Sequence, residues 1–171
     1  YSEDTTCDPN IKYSEQNKLD QQNWVINTLK TNKTTWNIII GHIPYIAKGH
    51  KKKNPNIFNK DIDDLFKSIE ESKCPIVQVY MCADEHNQQF IHHDNLNLVV
   101  AGSGGTSLDK IYDKSDVKTI YEKSTFGFTI FKFSPKKLCV QYIQTDPLSN
   151  QSLSFQADIG IKGDLIDSKH F

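Results

Sequence analysis

Two short apolar runs, Trp36-Asn37-Ile38-Ile39-Ile40 and Ile76-Val77-Gln78-Val79-Tyr80-Met81, constrain this chain more than anything else in it. Each is too short for an ordinary helix, and its apolar residues are mostly consecutive. That pattern belongs to strands buried on both faces, as in a parallel sheet. Between the runs, Ile62, Leu65, Phe66 and Ile69 fall at i, i+3, i+4 and i+7, an amphipathic helical stripe. Asn59 or Asp61 can cap its start, and Lys73-Cys74-Pro75 ends it. Residues 36–86 are therefore predicted to form a right-handed βαβ unit. A polar, basic loop from His50 to Asn59 is expected between the first strand and the helix.

Around this unit the pattern is simpler. Residues 1–14 are polar and irregular. Ser14 can cap a helix from about Glu15 to Lys30, with Leu19 and Ile26 on one face and Val25 and Leu29 beside it. After the second run, Gln89–Ile91 and Leu96–Val100 flank a turn, His92-His93-Asp94-Asn95, and lead into Gly102-Ser103-Gly104-Gly105. Residues 106–124 read as a polar surface loop. Phe126–Phe133, Leu138–Gln144 and Leu153–Ile159 alternate as strands, joined by the turn-rich Ser134–Lys137 and Asp146–Asn150. The segment 161–171 is expected to be a polar, loosely ordered tail.

Composition excludes several classes. The 20 basic residues, all lysine, face 21 acidic ones for a net charge of −1, so a nucleic-acid partner held by a basic field is disfavoured. No apolar run reaches the length of a membrane span. Cys74, Cys82 and Cys139 sit in or beside apolar runs and read as free buried thiols, whereas Cys7 lies in a polar stretch and can be half of a disulfide. There is no C-x-x-C pair to suggest a zinc ribbon. Asn32-Lys33-Thr34 and Asn150-Gln151-Ser152 match the glycosylation pattern and permit a secretory route without showing one.

The chemistry concentrates where the two runs end. In α/β sheets, ligands collect at the carboxyl ends of strands. His42 follows the first run; Asp84, Glu85 and His86 follow the second. Imidazole and carboxylate together suit first-row metals. Glu85 is expected to point away from its neighbours, because alternate residues of an extended segment face opposite sides. His92 and His93 are assigned to a turn, and Ser103 to a turn residue rather than a nucleophile.

Four motifs in series carry a family resemblance: Gln22-Asn23-Trp24-Val25, Gly41-His42-Ile43-Pro44 after its strand, Cys82-Ala83-Asp84-Glu85-His86, and Ala101-Gly102-Ser103-Gly104-Gly105. Over about residues 1–145 the chain resembles the C-terminal part of a calcineurin-like metallophosphoesterase, in the purple (tartrate-resistant) acid phosphatase branch. The resemblance implies an α/β (α+β) fold, a β-sandwich flanked by helices, with residues 1–160 as the C-terminal part of the domain. It implies a dinuclear centre of iron paired with iron, zinc or manganese. His42 matches the histidine of G-H-x-P and His86 the last histidine of G-H-x-H, both metal ligands. Asp84 stands where that motif has its first histidine, and Ala83 where it has glycine. His50 falls in the loop where these phosphatases place a histidine that contacts phosphate and can protonate the leaving group.

The family's remaining ligand motifs, an Asp motif, a G-D-x-x-Y-type motif and G-N-H-[ED], are not found in this sequence. The expectation is hydrolysis of a phosphorylated substrate at a site completed by an N-terminal segment of the same protein or by another chain. The Tyr start, without Met, favours a piece of a longer protein. The competing expectation is a phosphatase-fold scaffold without activity, for example in a virus particle or membrane complex. A small binding domain without metal is a third.

Overall fold

The computed structural model describes residues 15–51, 54–146, 148 and 150–171. Ser14, Cys7, Lys52, Lys53 and two residues of the 146–150 turn lie outside these, and with them the helix cap and the disulfide suggested above.

Helix α1 spans Glu15–Thr31 and α2 spans Lys60–Glu71. Strands β1 (Ile38–Ile40), β4 (Val79–Cys82), β6 (Leu96–Ala101), β5 (Gln88–His93) and β7 (Tyr121–Lys123) form one sheet in that spatial order. Strands β11 (Leu165–His170), β10 (Gln151–Gly160), β9 (Lys137–Thr145) and β8 (Gly127–Phe133) form a second, antiparallel sheet. Strands β2 (Ile46–Lys51) and β3 (Asn54–Phe58) make a separate hairpin.

The two large sheets pack face to face. Val79, Phe90, Val99 and Tyr121 of the first meet Leu138, Val140, Tyr142, Phe155, Ala157 and Ile159 of the second. The alternate residues of the first sheet, Tyr80, Cys82, Ile91, Leu98 and Val100, face the helices and the small hairpin, where Leu29, Ile69 and Ala47 cover them. A strand buried on both faces has no polar face to present, so β4 and β6 read as continuous apolar runs. The chain is thus α+β, a sandwich flanked by helices.

The βαβ reading holds in outline: β1 and β4 are parallel neighbours, with Ile38 opposite Val79 and Ile40 opposite Met81. Asn59 is the α2 cap, its side chain accepting from the Ile62 N–H at 3.2 Å. The expected surface loop at 106–124 ends in a strand, β7, that pairs with β5 and buries Tyr121, and three further details differ. First, among the described residues β1 is an edge strand, and it is only partly covered: Ile38 and Ile39 pack against the two opposite cores while Ile40 is 73% exposed. Second, the expected polar loop from His50 to Asn59 is largely the β2–β3 hairpin, because Ala47 and Ile57 supply inward-facing apolar residues among its polar ones. Third, the expected loose tail contains β11, which pairs with β10 through Phe155–His170 to Ile159–Leu165. Backbone pairing orders this segment, aided by the His170 ring against Phe155 at 5.1 Å between centroids.

The second hairpin turns on Asp94 and Asn95, with φ of 46° and 61°. Two left-handed residues are what a two-residue turn matched to strand twist requires. His92 and His93 consequently lie on β5 rather than in the turn. Cys74, Cys82 and Cys139 are free thiols, the last two buried.

Candidate functional site

The parallel pairing of β1 and β4 carries on past both strands. The Gly41 N–H donates to Met81 O at 2.9 Å, and the Ala83 N–H donates to His42 O at 3.0 Å. Tyr80 Oη donates to Ile43 O at 2.8 Å and holds the next turn down. His42 and Asp84 therefore emerge side by side, with Nε2 and Oδ1 3.5 Å apart. Their side chains are 75% and 50% exposed. Asp84 has φ of 61°, a left-handed conformation that aspartate tolerates better than most residues.

The chain then zigzags tightly: the Glu85 N–H donates to Ala83 O at 2.7 Å and the Asn87 N–H to Glu85 O at 2.8 Å. Glu85 is driven inward, 5% exposed. The alternation argument correctly separated it from Asp84, but Glu85 is not idle. The His50 Nδ1–H faces its carboxylate, at 2.9 Å from Oε2 and 3.1 Å from Oε1.

His50 reaches this position because β2 docks against the main sheet through a side chain. Gln89 is fully buried; its Oε1 accepts from the Lys48 N–H at 2.8 Å and its Nε2 donates to Lys48 O at 2.9 Å. The amide mimics a strand partner for β2, satisfying both backbone groups of Lys48.

His86 turns to a different set of partners. Its Nδ1–H donates to Ser107 O at 2.9 Å. Its backbone N–H donates to Asp109 Oδ2 at 3.1 Å, and the Asp109 N–H returns to His86 O at 3.0 Å. Asp109 Oδ2 also lies 3.6 Å from Nδ1 of both His50 and His86. The ligating atoms of His50, Glu85 and Asp109 all fall within 4.8 Å of one another. Of the residues expected as ligands, the structure brings His42 and Asp84 together, whereas His86 turns to Ser107 and Asp109 and joins no three-ligand group with them among the described residues; Glu85 and Asp109, the partners of His50, were not expected from the sequence. Asp109 sits in a segment read only as polar loop, with no motif to single it out.

Cys82 lies beneath this turn. Burial pushes its thiol up to about 12, and the charges of Asp84 and Glu85 add to the effect. It is a packing group, not a nucleophile.

No family model matches the sequence, and no curated protein does. The fold is nevertheless shared with solved phosphatase-like structures. The chain is similar to PhoD (TM-score 0.64, 14% identity), over 89% of this chain and 35% of that one. It is also similar to GAP50, the anchor in the inner membrane complex of Plasmodium (TM-score 0.62, 14% identity, 92% of this chain and 42% of that one). A third is the purple acid phosphatase PPD1 from yellow lupin (Lupinus luteus) seeds, at TM-score 0.57 and 16% identity, over 92% of this chain and 28% of that one. These define a metallophosphoesterase-like fold at low identity. The chain spans less than half the length of each.

Proposed function

We propose that this chain is the C-terminal part of a phosphomonoesterase whose dinuclear metal site is completed by an N-terminal segment outside it, or by another chain. The observation that carries the reading is the His42–Asp84 approach of 3.5 Å at the ends of two adjacent parallel strands. Donors each ~2.1 Å from a tetrahedral ion lie about 3.4 Å apart, so this pair fits a shared cation. His86 is assigned to the other ion of the pair: its Nδ1–H is committed to Ser107 O, leaving Nε2 for a metal, the usual arrangement of a ligating histidine and its outer partner.

Iron, zinc or manganese in such a centre would supply hydroxide at neutral pH and polarise a phosphoryl oxygen. The chain's own residues hold and orient. Glu85 fixes the His50 ring through Nδ1, which leaves Nε2 to contact a phosphate oxygen or give a proton to the leaving group. Among the described residues, β1 has a strand on one flank only, and its other flank offers a backbone edge on which the completing segment would pair.

Elemental analysis of the purified full-length protein tests this. About two ions per chain, with hydrolysis of p-nitrophenyl phosphate, are expected; a protein with neither removes the proposal. The second reading, a phosphatase-fold scaffold in a virus particle or membrane complex, is favoured by one observation. Asp84 occupies the position where the resembled family has a ligand histidine, and its carboxylate already lies 3.5 Å from the His42 ring nitrogen.

A further inference from the structure

We propose that His50, Glu85 and Asp109 form a separate site for a single divalent cation, built wholly within this chain. It goes beyond the dinuclear reading and does not depend on it, since none of its ligands is His42, Asp84 or His86.

The first argument is charge. Among the described residues, the ion pairs of Glu85 and Asp109 are made to His50 and His86. Two carboxylates thus converge on imidazoles, which carry charge only when protonated. Glu85 is 5% exposed, and a buried carboxylate is strongly destabilising without a lasting positive partner. The single His50 Nδ1–H is faced by three oxygens, at 2.9, 3.1 and 3.6 Å. One proton satisfies one of them well; a cation in its place satisfies several.

The second argument is preorganisation, which metal ligands need. The three donors come from three segments that are pinned in place and tied to one another. His50 is held by the Gln89–Lys48 exchange. Asp109 is clasped to the His86 backbone in both directions. The Tyr112 N–H donates to Gly49 O at 3.1 Å, tying Asp109's loop to β2. Glu85 packs against Gly102 so closely that an added Cβ there would lie 2.0 Å from Glu85 O.

One imidazole and two carboxylates suit manganese, ferrous iron or zinc, and are too few oxygens for a calcium cage. Ligation through Nδ1 replaces the Nδ1–H bond to Glu85 and places the ring proton on Nε2.

Titration of the purified, metal-stripped protein with Mn²⁺ alone, followed by its electron paramagnetic resonance and by calorimetry, tests the proposal. A His42→Ala/Asp84→Asn variant should retain one bound ion per chain. Glu85→Gln and Asp109→Asn should each weaken that ion at least tenfold, since even outer-sphere partners are worth 10–100-fold. His50→Ala should abolish the imidazole-nitrogen coupling to manganese. Asp109, the more exposed carboxylate, gives a variant that keeps its fold if Glu85→Gln does not, with circular dichroism as the check. The proposal is overturned if no ion binds, or if binding vanishes with His42 and Asp84 and is indifferent to Glu85 and Asp109. The dinuclear reading fails separately, through the His42/Asp84 variant and activity.

Discussion

His86 and Asp109, 23 residues apart in sequence, hold each other through the backbone: the His86 N–H donates to Asp109 Oδ2 at 3.1 Å, and the Asp109 N–H donates to His86 O at 3.0 Å. This reciprocal clasp fixes the connection between β6 and β7 against the ends of β4 and β5. It also delivers a carboxylate to His50. The segment is ordered by this pair of bonds together with the burial of Ile111 and the packing of Val117 and Ile120 against the two cores.

Replacing Asp109 with Ala should therefore loosen that connection. The His86 N–H loses its acceptor, a cost of about 1–3 kcal/mol for a partly buried donor. Asp109→Asn retains an oxygen acceptor and should lose less. Denaturant unfolding gives the magnitude, and hydrogen exchange at the His86 amide should quicken in the alanine variant while the β9–β10 amides stay protected. Uniform acceleration over the whole chain would show that the clasp is not local.

Gly102 is predicted to reject any side chain. An added Cβ would sit 2.0 Å from Glu85 O and 2.9 Å from Glu85 C, and these are backbone atoms without a rotamer by which to yield. Gly102→Ala should destabilise the protein by about 1–3 kcal/mol, the usual cost of overpacking, and displace Glu85 from His50. Gly104→Ala, which meets nothing within 4 Å, is the control and should leave the melting temperature nearly unchanged.

Much of this architecture is legible in the sequence because it rests on local pattern. The run at residues 76–81 announces a buried strand, the stripe from Ile62 to Ile69 announces α2, and the polar Asp94-Asn95 marks a tight hairpin turn. What was hidden depends on long-range backbone pairing. The β2–β3 hairpin looks like a basic loop because its lysines mask Ala47 and Ile57, and a buried glutamine from another strand, Gln89, holds it in place. The β11 strand carries little apolar signal and is ordered by its ladder to β10. At the site, His42 and Asp84 were visible as strand-end residues, whereas Asp109 is recognisable only once the chain has folded back on His86.

Stability should decline at alkaline pH. Burial pushes Cys82 up to about 12, with Asp84 and Glu85 adding to it. Burial, with Asp63 beside it, pushes Tyr45 up to about 12. Tyr80 and Tyr142 are raised by burial in the same direction. Each group keeps its proton in the folded chain at a pH where the unfolded chain releases it, at about 8.5 for cysteine and 10 for tyrosine. The stabilisation is thus complete below those values and is lost as pH rises towards the folded ones. Denaturant midpoints should fall steadily between pH 9 and 12, and a flat profile would contradict the burial argument. At pH 8, Ellman's reagent should leave Cys82 unmodified until the chain unfolds.

Asp84→His is the substitution that most directly separates a weakened enzyme from a scaffold. The φ of 61° at position 84 is a conformation in which histidine, like aspartate, is found more often than most residues, so the change is not expected to prevent folding. It removes the carboxylate that now lies 3.5 Å from the His42 ring, and two histidines then occupy the ends of β1 and β4. The exposed contact contributes little stability, so the melting temperature should shift only slightly. If the dinuclear site is intact but poorly liganded, metal content should rise towards two per chain and phosphomonoesterase activity should increase by tenfold or more, the scale on which a metal's surroundings act. If no activity is found before or after the change, with circular dichroism showing a native fold, the scaffold reading is favoured.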